Sequence, residues 1–110
     1  MKLIIAIVQD EDASRLLTKL MESGFGVTKL ATTGGFLRAG NTTFLIGVDD
    51  EKIDEAMGII ENTCKSRQQT APVHAPISGT AGMYMPAYPV QVTVGGATVF
   101  VMDVEQFHKF

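Results

Sequence analysis

The chain has 110 residues, which fits a single domain spanning 1–110 and leaves little room for a second. Apolar residues make up 45% and charged residues 19%, a balance that excludes disorder and suits one layered core. Nine Lys and Arg stand against twelve Asp and Glu for a net charge of -3, and the basic residues are scattered. A protein that neutralises phosphate chains carries a basic stripe, so neither DNA nor RNA is expected as a partner.

The first predicted element is a strand over Leu3 to Val8, apolar on both faces: Leu3, Ile5 and Ile7 on one, Ile4, Ala6 and Val8 on the other. The run is too short for a signal peptide and leads directly into Gln9-Asp10-Glu11-Asp12. Nothing approaches the ~20 apolar residues a membrane-crossing helix requires. A soluble, cytoplasmic protein with no membrane insertion is expected. Asp10 or Asp12 is placed to cap a helix, whose inner stripe reads Ala13, Leu16, Leu17, Leu20 and Met21 until Gly24 stops it.

Phe25 to Ala31 reads as a second strand and Asn41 to Val48 as a third, paired as a hairpin around the glycine-rich tip from Thr32 to Gly40. On the third strand Thr42, Phe44, Ile46 and Val48 share one face, and Asn41, Thr43, Leu45 and Gly47 the other. Asp49 or Asp50 is placed to cap a second helix running to about Arg67, with Ile53, Ala56, Met57, Ile60 and Cys64 inward. All four prolines then fall between Arg67 and Pro89, which reads as a long flexible Pro/Gly-rich loop, 67–89. Val90 to Val94 and Ala97 to Val104 are the last strands, with Gly95-Gly96 as a hairpin signal between them.

The order is ferredoxin-like βαββαβ with an extra C-terminal strand, an α+β fold whose antiparallel sheet carries two helices on one face. The first and last strands are apolar on the other face too, and the chain has no element left to cover it. A cyclic homo-oligomer is the economical cover, since a bare face would expose a large apolar patch.

Catalytic and metal chemistry find little support. Cys64 is the lone cysteine, which excludes an intrachain disulfide and a Cys-based metal site. The histidines, His74 and His108, are far apart in sequence, and Asp49, Asp50 and Glu51 are explained by a helix start. No base–nucleophile pair is evident, so no enzyme is expected and no cofactor. The Gly34-Gly35-Phe36-Leu37-Arg38-Ala39-Gly40 stretch is not a phosphate-binding strand-to-helix loop, because a strand follows it. Its glycines allow backbone N–H groups to converge on an anion, and the amide of Asn41 matches the N6/N7 edge of adenine. An ordinary long hairpin whose Phe36 packs on a neighbouring subunit accounts for the same residues equally well.

Three stretches resemble the PII-like cyclic-di-AMP receptors, the PstA or DarA proteins. They are Met1 to Asp10, the unbroken Thr28 to Gly47 (TKLATTGGFLRAGNTTFLIG), and Val94 to Met102 followed by Phe107-His108-Lys109-Phe110. The resemblance runs nearly end to end and is loosest from Thr70 to Tyr88. It implies a homotrimer with three cyclic-di-AMP sites at subunit boundaries. Nucleotide there is expected to order or redirect the hairpin tip and the 67–89 loop, changing a surface that an unidentified downstream protein effector reads. By position it implies that Thr28 and Asn41 read adenine, that Gly47 leaves room for it, that Gly35, Phe36 and Leu37 line the pocket, and that Phe100 packs on it. Two positions depart from the family pattern: Gly26 stands where a basic residue is common, and Lys109 where a glutamine is common. Lys109 is expected to supply the missing charge to the phosphates, with Arg38 as the alternative. Two other readings of the chain are a PII-like sensor of ATP or another nucleotide, and a trimer binding divalent metal through His74, His108 or the acidic cluster.

Overall fold

The computed structural model describes residues 1–30, 40–72 and 89–110. The strands and helices are β1 (Lys2–Gln9), α1 (Asp10–Glu22), β2 (Gly26–Leu30), β3 (Asn41–Val48), α2 (Ile53–Cys64), β4 (Arg67–Pro72), β5 (Pro89–Val94) and β6 (Ala97–Asp103). A 3-10 turn, Asp50–Lys52, leads into α2.

The alternation in β1 and β3 sets the layers. Ile4, Ala6 and Val8 with Phe44, Ile46 and Val48 point to one face, where all are buried beneath the helices. From α1 come Ala13, Leu16 and Leu20, and from α2 come Ala56, Ile60 and Cys64. Met21, expected on the inner stripe, is 61% exposed at the end of α1. There the chain closes a Schellman turn: Phe25 N–H donates to the Leu20 carbonyl and Gly24 N–H to that of Met21, each at 3.0 Å. The turn needs a left-handed residue, and Gly24 supplies it at φ 85°.

The main sheet is antiparallel in the order β2-β3-β1-β6, which is consistent with a ferredoxin-like fold. Two expectations about the C-terminal half change. The last strand, β6, is not an addition, for it pairs with β1 and completes the four-stranded sheet. The addition is a two-stranded ribbon, β4 with β5, inserted between α2 and β6. Residues Arg67–Pro72, read as loop, are therefore strand, and α2 ends at Cys64 rather than near Arg67. The segment Arg67-Gln68-Gln69-Thr70 carries no apolar alternation, and none of its residues is buried. Polar cross-strand bonds hold it instead, Gln68 to Thr93 at 2.9 Å and Gln91 to Thr70 at 2.8 Å. Gly95 and Gly96, at φ 81° and 100°, turn the chain from ribbon to main sheet rather than closing a hairpin, since β5 and β6 belong to different sheets.

The acidic residues at the helix starts also act differently from expected. Neither helix has a side-chain cap. Asp10 lies inside α1 and accepts from the Thr42 hydroxyl at 2.5 Å, while Asp12 is buried.

Candidate functional site

The second face of the main sheet carries the candidate site. Directly opposed residues of antiparallel strands share a face, so the register defines its rows. One row runs Thr28, Leu45, Ile5, Phe100; the next runs Gly26, Gly47, Leu3, Met102. Neither α1 nor α2 lies over these rows. Phe100 is 53% and Met102 52% exposed, and Leu30 stands open at the β2 edge. An apolar face of this kind is a binding surface or an interface.

At its β2–β3 end lies a floor without side chains. Gly26 and Gly47 oppose each other directly. A methyl group at Gly26 would meet nothing within 4 Å, and one at Gly47 only Met1 Cε at 3.7 Å. Neither glycine has a left-handed backbone. Among the described residues nothing requires either glycine, and in a strand such residues often mark close approach by a ligand or another backbone.

Thr28, Asn41 and Gly47 all lie exposed on this face of two adjacent strands. Asn41 and Gly47 are at opposite ends of it, about 20 Å apart along β3. Phe100 belongs to the same face but sits on the other edge strand, some three strand spacings or about 14 Å from Thr28. Lys109 is exposed in the segment after β6, which leaves the sheet at the Gly47 end, where Val104 N–H donates to the Met1 carbonyl. One chain thus brings Thr28 close to Gly47, with Asn41 on the same face at the far end of β3, Phe100 on the opposite edge strand and Lys109 beyond β6. Gly35, Phe36, Leu37 and Arg38 lie outside the described residues, as does His74. At the Asn41 end is an open depression of about 490 Å³ lined by Gln9, Asp10, Glu11, Gly40 and Asn41.

The family model described as "Cyclic-di-AMP receptor" matches residues 1–110. This chain belongs to the cyclic-di-AMP receptor family. Membership supports cyclic-di-AMP binding by the receptor. It is also similar to a crystal structure of a functionally unknown protein from Pediococcus pentosaceus ATCC 25745, with 43% identity and a TM-score of 0.76. That match covers 99% of this chain and 96% of the other.

The reading of residues alone missed a charged cluster beside the receptor's sheet. Asp12 is 1% exposed and accepts from two arginines: Arg15 at 2.9 Å and Arg67 at 2.8 Å. Its hydrogen bond to Asp12 raises the pKa of Arg67, holding the guanidinium charged. The signal was present, since Asp12 stands four residues before Leu16 and eight before Leu20, on the buried stripe of α1. An acid there needs a cation. Burial, with the Asp12 charge second, pushes the Cys64 thiol up to about 11. It is a buried thiol, not a nucleophile, at neutral pH.

Among the described residues, no three His, Cys, Asp or Glu side chains are grouped to hold a metal ion, and no helix is long and apolar enough to cross a membrane. His108 bonds to Gln106 at 3.1 Å and stacks on Phe110, with ring centroids 5.9 Å apart.

Proposed function

We propose that this receptor is a PII-like homotrimeric sensor that binds cyclic di-AMP between subunits and acts by binding, without catalysis. The observation that carries the reading is the exposed β2–β3 face, with Thr28 beside the Gly26–Gly47 floor at one end and Asn41 at the other. A floor without side chains lets a flat base approach the backbone closely, and Asn41 is able to pair with adenine. The length of β3 between Asn41 and Gly47 suits a ligand with two recognition ends, as a molecule with two bases has.

The separation of Thr28 from Phe100 supports a composite site. A neighbouring copy that brings its β6 edge and C-terminal segment to this β2–β3 face adds Phe100 and Lys109 to the pocket. The same contact covers Phe100 and Met102, each half-exposed in the single chain. Lys109 then offsets the missing basic residue at Gly26 and pairs with a phosphate. Nucleotide at this boundary redirects nearby segments, and a downstream cytoplasmic protein reads the altered surface.

Calorimetric titration with cyclic di-AMP, alongside ATP as competitor, tests the site. One ligand per chain is expected, with sedimentation as a trimer and little competition from ATP. Asn41→Ala is expected to weaken binding about tenfold or more, the cost of a lost bidentate base contact. Lys109→Ala is expected to lower affinity and flatten its salt dependence. A folded monomer that ignores the dinucleotide, or a preference for ATP, defeats the proposal.

A further inference from the structure

The corner where β1 turns into α1, Gln9 to Asp12, holds two distant parts of the chain. On one side it grips the start of β3. Asp10 N–H donates to the Gly40 carbonyl at 2.8 Å, the Asp10 carboxylate accepts from Thr42, and Gln9 lies across from Asn41. On the other side it grips the root of the β4–β5 ribbon. The Gln9 side-chain carbonyl accepts from Gly95 N–H at 2.7 Å. The Asp12 carboxylate takes both arms of the Arg67 guanidinium, Nη2 to Oδ1 at 2.8 Å and Nη1 to Oδ2 at 3.3 Å.

Among the described residues, the bonds that fasten the ribbon to the rest of the chain lie at its root. Gly96 N–H donates to the Cys64 carbonyl and Arg67 Nη1 to that of Lys65, both at the root. Farther out, the described side-chain bonds join β4 to β5 alone. Burial makes the Asp12 grip strong, because a carboxylate removed from water holds tightly to a two-pronged cation. Arg15 also donates to Asp12, and to the Thr63 carbonyl at 3.1 Å, so the acid keeps a partner if Arg67 lets go. The pair therefore has the makings of a releasable contact, with one arginine fixed between the helices and the other belonging to the ribbon.

We propose that the Asp12–Arg67 pair is a latch through which nucleotide on the β2–β3 face sets the position of the β4–β5 ribbon. Ligand engaging Asn41 shifts the Gly40 to Thr42 segment, and the Gln9–Asp12 corner carries the shift to Gly95 and Arg67. This rests on the nucleotide site proposed above. It adds the route by which occupancy reaches a second surface, with Arg67 and Asp12 as positioning residues that never touch the ligand. A ligand moves such an element only by favouring one of its two positions.

Amide hydrogen exchange of the full chain, with and without saturating cyclic di-AMP, reads the ribbon directly. In the wild type, amides of Gln68 to Ala71 and Val90 to Val94 are expected to change protection when ligand binds. Arg67→Lys removes the fork and keeps the charge. Its ribbon is expected to stop responding, and its calorimetric affinity to change by no more than a coupling between sites supplies, about 5–150-fold. Gly95→Ala attacks the latch from the other side, because its methyl group would lie 2.5 Å from Arg67 Nη1 and 2.8 Å from the Lys65 carbonyl. It is expected to lose the same response, and it decides the matter if Arg67→Lys fails to fold.

A ribbon that still responds in the variants overturns the latch. So does a loss of affinity in Arg67→Lys beyond about 150-fold, more than coupling between sites supplies. Wild type that binds ligand with no ribbon response removes the latch alone. Wild type that binds no cyclic di-AMP removes the nucleotide site and the latch with it.

Discussion

The four-stranded sheet and the β4–β5 ribbon are both antiparallel, but different forces hold them. The sheet rests on Phe44, Ile4, Ile46 and Val8 packed against Leu16, Leu20 and Ile60, all fully or almost fully buried. Among the described residues the ribbon rests on its backbone ladder, two side-chain pairs and the bonds at its root. Burial of apolar area is a property of the whole core, so disturbance anywhere in the sheet spreads. Hydrogen-bonded ribbons with solvated side chains open locally, at a cost well below that of global unfolding. A receptor needs both kinds of structure: one to hold a site in register, another free enough to change when the site fills.

The strongest way to break this contrast is inside the sheet. Phe44→Ala removes the largest fully buried side chain and is expected to cost about 3–5 kcal/mol. Chemical denaturation should show one transition, shifted for ribbon and sheet probes together. A ribbon that kept its own stability in this variant would mean that it folds independently of the core.

An intermediate effect comes from Cys64, the last residue of α2 and the neighbour of the ribbon's root. With its pKa raised from 9.0 to about 11, the folded chain keeps the thiol proton in a range where the unfolded chain has released it. The unfolded state then binds fewer protons, so stability falls as pH rises from 9 towards 11. Below pH 9 the contribution is fully present. The decline is expected to reach roughly 2 kcal/mol by the upper end of that range. It should vanish from the pH profile of Cys64→Ala, whatever that substitution does to stability at neutral pH. An unchanged alkaline slope in Cys64→Ala would show that the thiol does not report burial.

The smallest effect sharpens the ribbon's side of the comparison. Gln68→Ala deletes one cross-strand pair and is expected to cost about 0.2–1 kcal/mol, confined to the ribbon. Hydrogen exchange should accelerate in β4 and β5 while amides of β1 and β3 stay unchanged. Acceleration spreading into the main sheet would erase the distinction between local and global opening.

These contrasts mark where the sequence was readable. Apolar alternation in Leu3 to Val8 and Asn41 to Val48, helical spacing in α1 and α2, and Gly24 are local signals, and each had its counterpart in the fold. The second apolar face was legible for the same reason: Leu3, Ile5 and Ile7 alternate with Ile4, Ala6 and Val8. So was the sharing of a strand face by Asn41 and Gly47. The ribbon was not legible, because Arg67 to Thr70 are polar and carry no period. The pairing of Gly95 and Gly96 with a hairpin also misled, since two glycines signal a turn without saying which strands it joins.

Chain order, the two layers and the candidate face thus follow from periodicity, which acts over a few residues and is written in them. Tertiary structure alone decided which strands are neighbours, and so that Gly26 meets Gly47, that Thr28 and Phe100 stand on opposite edges, and that β6 closes the sheet. It also decided that Asp12 is a buried anchor for Arg67, 55 residues away, rather than a helix cap. Such pairings depend on how whole elements pack, and no short window of sequence contains both partners.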